Sequence, residues 1–311
     1  MRKIITCPSI LISALILACP AAGHAAEGAA SNYFPGAYGS LLVAAPPEPG
    51  YIAGSLNLFY SAKADRAVRE GQVKTEIEAD ALYSYFQLLK TWDMPSTGGR
   101  FLAGISVPYA YSSMGASVAG PGGTLRTSAS DTALGDMIII PASYYWSSGN
   151  VYFNIYEAIT APTGQYSDGA DVNIGRNYWS FDTVLAMTWF NPESGTEFSV
   201  VPGIMVNTKN KATDYRTGTE FHVDFIFNQF VSESVALGIH GYGYYQISGD
   251  SGSGALLGDF KSRSWGLGPA ISYIPPKMNG RFVVNAKYMT DVSATNRLKA
   301  DYGMINLTWT F

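Results

Sequence analysis

Beyond residue 26 the chain has two histidines, His222 and His240, and both lie where polar and apolar residues alternate. Phe221, Val223, Phe225 and Phe227 put apolar groups on one parity, leaving His222, Asp224 and Asn228 on the other. The next such stretch adds His240 and Gln246 to that polar side. A histidine beside a carboxylate can titrate near neutral pH or bind a phenolic hydroxyl. A tight turn between the two stretches would bring Asp224 close to His240. The plainer alternative is a satisfied polar ladder that stiffens a wall or lines a wet lumen. Arg281, Asn285 and Lys287 share a parity further on, and acidic positions such as Asp182 or Glu157 opposite them would create a transverse field. Arg176 and Asn177 enter a strand from a long loop, placed to meet a neighbouring loop or a solute at the mouth. Phe34, Pro35 and Tyr38 belong to a Pro- and Gly-rich stretch that bars a regular strand or helix.

Other chemistries lack their residues. No GxSxG nucleophile motif is present, and no glycine motif suited to phosphate follows a strand. The aspartates Asp168, Asp171, Asp250 and Asp259 match no calcium loop. No catalytic residue, metal or cofactor is therefore expected. A lipid hydrolase would have to use His222 or His240, both of which carry inward parity.

What must position these side chains is a set of half-exposed strands. The period-2 pattern recurs near 51–62, 76–92, 100–113, 134–146, 150–163, 175–190, 196–208, 218–231, 234–248, 261–274, 280–291 and 301–311. Short turns such as Ser147–Asn150 and Asn191–Gly195 alternate with longer Gly-, Ser- and Asp-rich links such as 114–133 and 248–260. Only the link Thr91–Gly99 disturbs that order. An even number of strands with alternating loop lengths predicts an all-β fold, a transmembrane antiparallel barrel of about 12 strands (about 10–14) with both ends on the periplasmic side. Charged residues are 14% of the chain, against about 25% in a soluble domain, while aromatics reach 14% with 21 tyrosines. Tyr144, Tyr145, Trp146, Trp179 and Trp189 fall near strand ends, as girdle residues would.

The N-terminus predicts export. Arg2 and Lys3 precede an apolar stretch from Ile10 to Ala18 and then the small residues of Gly23–Ala26, the layout of a secretory signal peptide over 1–26, cleaved after Ala25 or Ala26. Cleavage would remove Cys7 and Cys19, both cysteines of the chain, and take the net charge from −4 to about −6 by loss of Arg2 and Lys3. That charge opposes nucleic-acid partners. Residues 27–50 then form either a plug folded into the barrel or a loose periplasmic tail, and 51–311 form the barrel. The chain ends on Ile305, Leu307, Trp309 and Phe311, outward by parity, and Phe311 is a candidate signal for the outer-membrane assembly machinery.

Several segments carry a resemblance to a known group: "NYFPGAYG" from Asn32, "GDMIIIP" from Gly135, "APTGQY" from Ala161 and "GRNYWSFD" from Gly175. "TDYRTGTEFHVDF" from Thr213, "GYGYYQISGDSGSGA" from Gly241 and "GLGPAISY" from Gly266 continue it in order. Together they resemble the meta-pathway phenol-degradation outer-membrane proteins. The resemblance implies a barrel in the bacterial outer membrane that admits aromatic or other hydrophobic compounds. The expected function is thus a channel for small hydrophobic, chiefly aromatic, solutes by passive or facilitated diffusion, with outer-membrane lipid around it. A structural barrel, a general porin and a lipid-modifying enzyme are the alternatives.

Overall fold

The computed structural model describes residues 31–68, 73–120, 123–256 and 261–311. The expected signal peptide and residues 27–30 lie outside the described residues. The strands are β1 (Gly50–Val68), β2 (Val73–Met94), β3 (Gly99–Gly120), β4 (Gly123–Leu134), β5 (Met137–Ser148), β6 (Val151–Ala161) and β7 (Ser180–Asn191). They continue as β8 (Thr196–Asn207), β9 (Glu220–Ser232), β10 (Val235–Gln246), β11 (Arg263–Tyr273), β12 (Phe282–Thr295) and β13 (Lys299–Thr310). Consecutive strands pair antiparallel, except that β4 and β5 both pair with β3, and β1 pairs with β13 from Ile52↔Thr310 to Lys63↔Lys299, so the sheet closes. The two ends are tied at the seam, where Tyr51 N donates to Phe311 O at 2.8 Å and Phe311 N to Tyr51 O at 2.9 Å.

Thirteen strands fill twelve places in the wall, because β4 and β5 share one. The outer half of β3, Tyr109–Gly120, pairs with β4, and Arg100–Ser106 pairs with β5. Between them Gly135 and Asp136 break the strand, and Gly135 N donates to Pro108 O at 2.9 Å. The expected loop 114–133 is therefore wrong. Its small residues Gly115, Ala116 and Ser117 lack the apolar alternation of a lipid-facing strand because this hairpin rises beyond the apolar band, where nothing requires it. Residues 175–179, expected in a strand, belong instead to the loop 162–179, and β7 begins at Ser180. The link after β2 shrinks to 95–98, which restores the turn order that the sequence left irregular.

Alternation sorts the wall into two faces. On β7, Phe181, Leu185 and Trp189 are exposed while Asp182, Val184, Ala186 and Thr188 are buried. At about 3.4 Å per residue and a tilt of about 35–45°, Phe181 to Trp189 spans about 20 Å, near the apolar band of about 25 Å in such barrels. Aromatic pairs mark the edge nearest the short turns: Trp146 stacks on Phe153 at 5.1 Å, Trp92 lies 5.6 Å from Phe101, and Tyr51 stacks on Phe311 at 6.1 Å. Trp179 and Phe181 mark the other edge at 6.4 Å. Tyr145 departs from the expected girdle, since it turns inward beside Ser143 and Asn154. Inside, Tyr33, Leu58, Tyr242, Tyr244, Met289 and Tyr302 form a buried cluster.

A charge placed on the outer face in mid-band should be costly. Leu185→Lys is expected to destabilise the barrel by about 2–4 kcal/mol, whereas Ser128→Lys on the rising hairpin should cost about 1 kcal/mol or less. Denaturant unfolding from lipid vesicles measures both.

Candidate functional site

The polar parity of β9 and β10 does face inward. His222, Asp224, Asn228, His240 and Gln246 are all buried, as are Asn285 and Lys287 on β12. The expected Asp224–His240 pair does not form. A bulge between Val235 and Ala236 sets the register so that Asp224 opposes Tyr242 and His240 opposes Ile226. His240 instead places Nε2 3.0 Å from Asn228 Oδ1. Since that oxygen only accepts, Nε2–H donates.

His222 finds a carboxylate on a strand it does not pair with. Its Nε2 lies 3.0 and 3.1 Å from the two oxygens of Asp182 on β7, across β8. The residue between is Gly203, opposite both His222 and Val184, and a Cβ there would overlap the His222 ring. Glycine is therefore needed for an inner side chain to cross one strand and reach the next. The Nδ1 atoms of both histidines make no hydrogen bond among the described residues.

Two expected placements need correction. Arg281 is exposed in the turn before β12 and donates no side chain to the lumen. It has inward parity, but it stands on the rim where the wall has ended. Glu157 points away from the lumen, because Asn154 and Tyr156 hold the inner parity of β6, and it accepts from Thr183 Oγ1 at 2.6 Å. The transverse field expected from Glu157 and Arg281 is absent from those residues. Lys287 Nζ donates instead to a backbone carbonyl, Gly39 O, at 2.6 Å.

That carbonyl belongs to residues 31–49, which enter the barrel and bond to its inner wall. Tyr33 Oη donates to Asp224 Oδ1 at 2.6 Å, Tyr38 N to Asp224 Oδ2 at 3.0 Å, and Tyr38 Oη to Asp182 Oδ2 at 2.6 Å. Leu42 N donates to Glu197 Oε1 at 2.7 Å and Ala44 N to Thr188 Oγ1 at 3.1 Å. Asn228 Nδ2 returns a bond to Ser40 O at 2.9 Å. Tyr33 stacks on His222 at 4.3 Å, Phe34 lies 4.9 Å from Tyr83, and Pro35 is buried. Gly36 has φ +73°, and a Cβ on it would overlap the end of Met289. Where the segment leaves, Arg100 Nη1 donates to Pro47 O at 2.6 Å and Arg100 also pairs with Glu48 at 3.2 Å. Asp182, Glu197 and Asp224 thus each accept at least one N–H or O–H bond from one short segment, which is how buried charge is tolerated.

At the outer end the loops are pinned individually. Asp136, in the break between β4 and β5, accepts Gly164 N at 2.8 Å and Arg176 N at 2.6 Å. Burial pushes its carboxyl up, and those same backbone donors oppose the shift. Asn177, with φ +61°, donates through Nδ2 to Asn210 Oδ1 at 2.8 Å, so this mouth residue does meet a neighbouring loop. Asp214 is held well below the usual carboxylate range by hydrogen bonds from Lys209 and Ser253. Below the outer loops lies a cavity of about 310 Å³, bordered by Phe34, Tyr60, Tyr83, Arg176, Arg297 and Tyr302 among others. Arg297 and Tyr33 went unnoticed in the sequence, because each lies outside the alternating stretches that carry the parity signal. Among the described residues, no group of three His, Cys, Asp or Glu side chains is placed to hold a metal ion.

Comparison with known proteins gives a family and a fold. The family described as "Putative MetA-pathway of phenol degradation" matches residues 61–307. The COG4313 outer membrane channel from Pseudomonas putida F1 is similar in structure, with a TM-score of 0.69 and 14% identity over 90% of this chain and 100% of that one. A FadL homologue from Pseudomonas aeruginosa gives a TM-score of 0.45 and 8% identity over 93% of this chain and 100% of that one. The β domain of the Bordetella autotransporter BrkA gives 0.47 and 14% over 85% and 100%. No curated protein matches. The fold is that of a bacterial outer-membrane barrel.

Two substitutions test how the lumen is held. Gly203→Ala should force His222 off Asp182 and cost about 1–3 kcal/mol, whereas Gly243→Ala, whose Cβ would meet only Val223 at 3.4 Å, should be nearly neutral in the same unfolding assay. Tyr33→Phe keeps the stacked ring and removes one bond to a charged group, worth about 1.5–3 kcal/mol. Hydrogen exchange at the Tyr38 and Leu42 amides should then accelerate about tenfold to a hundredfold.

Proposed function

Because the chain belongs to the family described as "Putative MetA-pathway of phenol degradation", we propose that it is an outer-membrane channel for small hydrophobic, chiefly aromatic, solutes that pass down their gradient. Residues 31–49 would be the plug that closes it. The observation that carries this reading is how that segment is held. It makes side-chain bonds to Asp182, Glu197 and Asp224 and no ladder with the wall, so it can leave without opening the barrel. Departure would expose inner carboxylates to water, which can replace the lost donors at modest net cost. A lumen rich in tyrosine would meanwhile lower the cost of stripping water from an aromatic solute.

The enzyme alternative has little support in the site. Both imidazoles are committed to the inner wall, bonded to Asp182 and Asn228, and among the described residues neither hydrogen-bonds a hydroxyl or thiol that could serve as nucleophile. In the same reading Phe311, exposed at the seam, would serve the assembly machinery before the barrel closes.

Solute flux into liposomes carrying the refolded protein provides the test, with empty liposomes as the control for unaided crossing. Phenol-like aromatics should pass faster than sugars of similar mass. Equal passage of both would make the protein a general porin, and no passage of either would make it a sealed structural barrel. Deleting residues 27–50 should raise single-channel conductance; an unchanged conductance would remove the plug from the proposal.

A further inference from the structure

The cavity at the outer end has a feature that neutral aromatic solutes do not require. Arg176, in the loop 162–179, and Arg297, in the turn between β12 and β13, both border it. They come from opposite sides of the mouth, 121 residues apart by numbering (297 minus 176). Among the described residues no carboxylate lies within 4.0 Å of either guanidinium, whereas Lys63, Arg100 and Lys209 all have such partners. Neither is on the open surface: both side chains are partly buried, and Arg297 sits over the Tyr244 ring at 4.7 Å. Asp136 acts on Arg176, and Asp291 and Glu220 on Arg297, only from beyond ion-pair distance, so each half-withdrawn guanidinium keeps its fork open to an anion. Its planar fork matches a carboxylate in two-point geometry.

Acidic groups also border the cavity and must be weighed. Asp168 and Asp171 both line it, on the loop that carries Arg176. Asp168 is exposed and Asp171 half-buried. An exposed carboxylate is well screened by water and salt, so it offsets the inner pair weakly. Phe34, Tyr60, Tyr83 and Tyr302 add aromatic faces to the wall, among small and polar residues such as Ala79, Ala81, Ser112 and Thr213. A volume of about 310 Å³ lies at the small end of small-molecule sites, about 300–1,000 Å³, and suits one ring with a short substituent. Phe34 belongs to the N-terminal segment, so the floor of the cavity is the segment itself.

We propose that this cavity is a subsite for single-ring aromatic carboxylates, the ring lying among Phe34, Tyr60, Tyr83 and Tyr302 and the carboxylate on Arg176 and Arg297. The inference rests on the reading of the chain as a channel for aromatic solutes, and narrows that class to solutes bearing an anionic oxygen group. The subsite stands on the outer side of the segment, where a solute would bind before the segment moves.

Binding of benzoate and benzamide to the refolded full-length barrel in detergent, at neutral pH, tests it. The two ligands share ring and shape and differ in charge. Benzoate should bind at least about tenfold more tightly, the effect of one or two charge-assisted bonds, and its affinity should fall as salt rises. Acetate, which has the charge and no ring, should bind more weakly than benzoate. In R176Q/R297Q the preference for benzoate should fall to within about twofold, while R126Q, on the rising hairpin, should leave it unchanged. Equal binding of benzoate and benzamide to the unaltered protein, or no binding of either, overturns the inference without any variant having to fold. Benzoate preference that survives in a folded R176Q/R297Q barrel overturns it too. Parallel liposome flux separates the two readings. Flux of neutral aromatics without benzoate preference leaves the channel standing and removes the subsite, whereas loss of all aromatic flux removes the channel.

Discussion

Lipid offers a backbone no hydrogen-bond partners, so a sheet that crosses it must close on itself. The closure of β1 on β13 is therefore the constraint from which the rest follows. A closed wall has an inside and an outside, and the pleat assigns each residue to one of them. Outward positions gather Phe, Leu, Trp and Tyr against lipid. Inward positions are then free to be polar, and here they include Asp182, Glu197, Glu220, Asp224 and Asp291, all buried. Such a concentration of carboxylates inside a closed wall needs donors. Tyr242 and Tyr244 supply some from the wall itself, to Asp291 and Glu220. Tyr33, Tyr38 and Leu42 supply others from the segment that enters it.

This arrangement gives the N-terminal segment two properties at once. It is specific, because its donors match individual carboxylates and Gly36 fits a spot with no room for a side chain. It also stands apart from the sheet, because no described strand of the barrel uses it as a ladder partner. A strand inserted into the wall could not move without breaking the closure that lipid demands. A segment bonded by side chains can exchange those bonds for water.

The outer end follows a different rule. Above the apolar band, water can satisfy the backbone, and the wall no longer has to be complete. There β4 pairs with β3 while the position beside it passes to the loop 162–179. Asp136 stands at that break and fastens the loop by two backbone amides. Held in this way, the loop brings Arg176 to the cavity that Arg297 reaches from the far side of the mouth.

Much of this was legible in the residues alone. Strand positions, the inward parity of His222, Asp224, Asn228, His240 and Gln246, and the aromatic edges all follow from a period of two, which is a local property of a pleated chain. The resemblance to the phenol-degradation group pointed to the same fold. Register was not legible, because it is set by where the turn between β9 and β10 closes and by the bulge at Val235, which together put Asp224 opposite Tyr242 and not His240. The rising hairpin was misread because small polar residues look alike in loops and in strands that no longer face lipid. The His222–Asp182 contact needed Gly203 on an intervening strand, and the Tyr33–Asp224 bond joins residues 191 apart. Parity along a strand is decided by neighbours in sequence. Which inner side chains meet across the lumen is decided by closure, stagger and the path of the N-terminal segment, and those exist only once the whole barrel has formed.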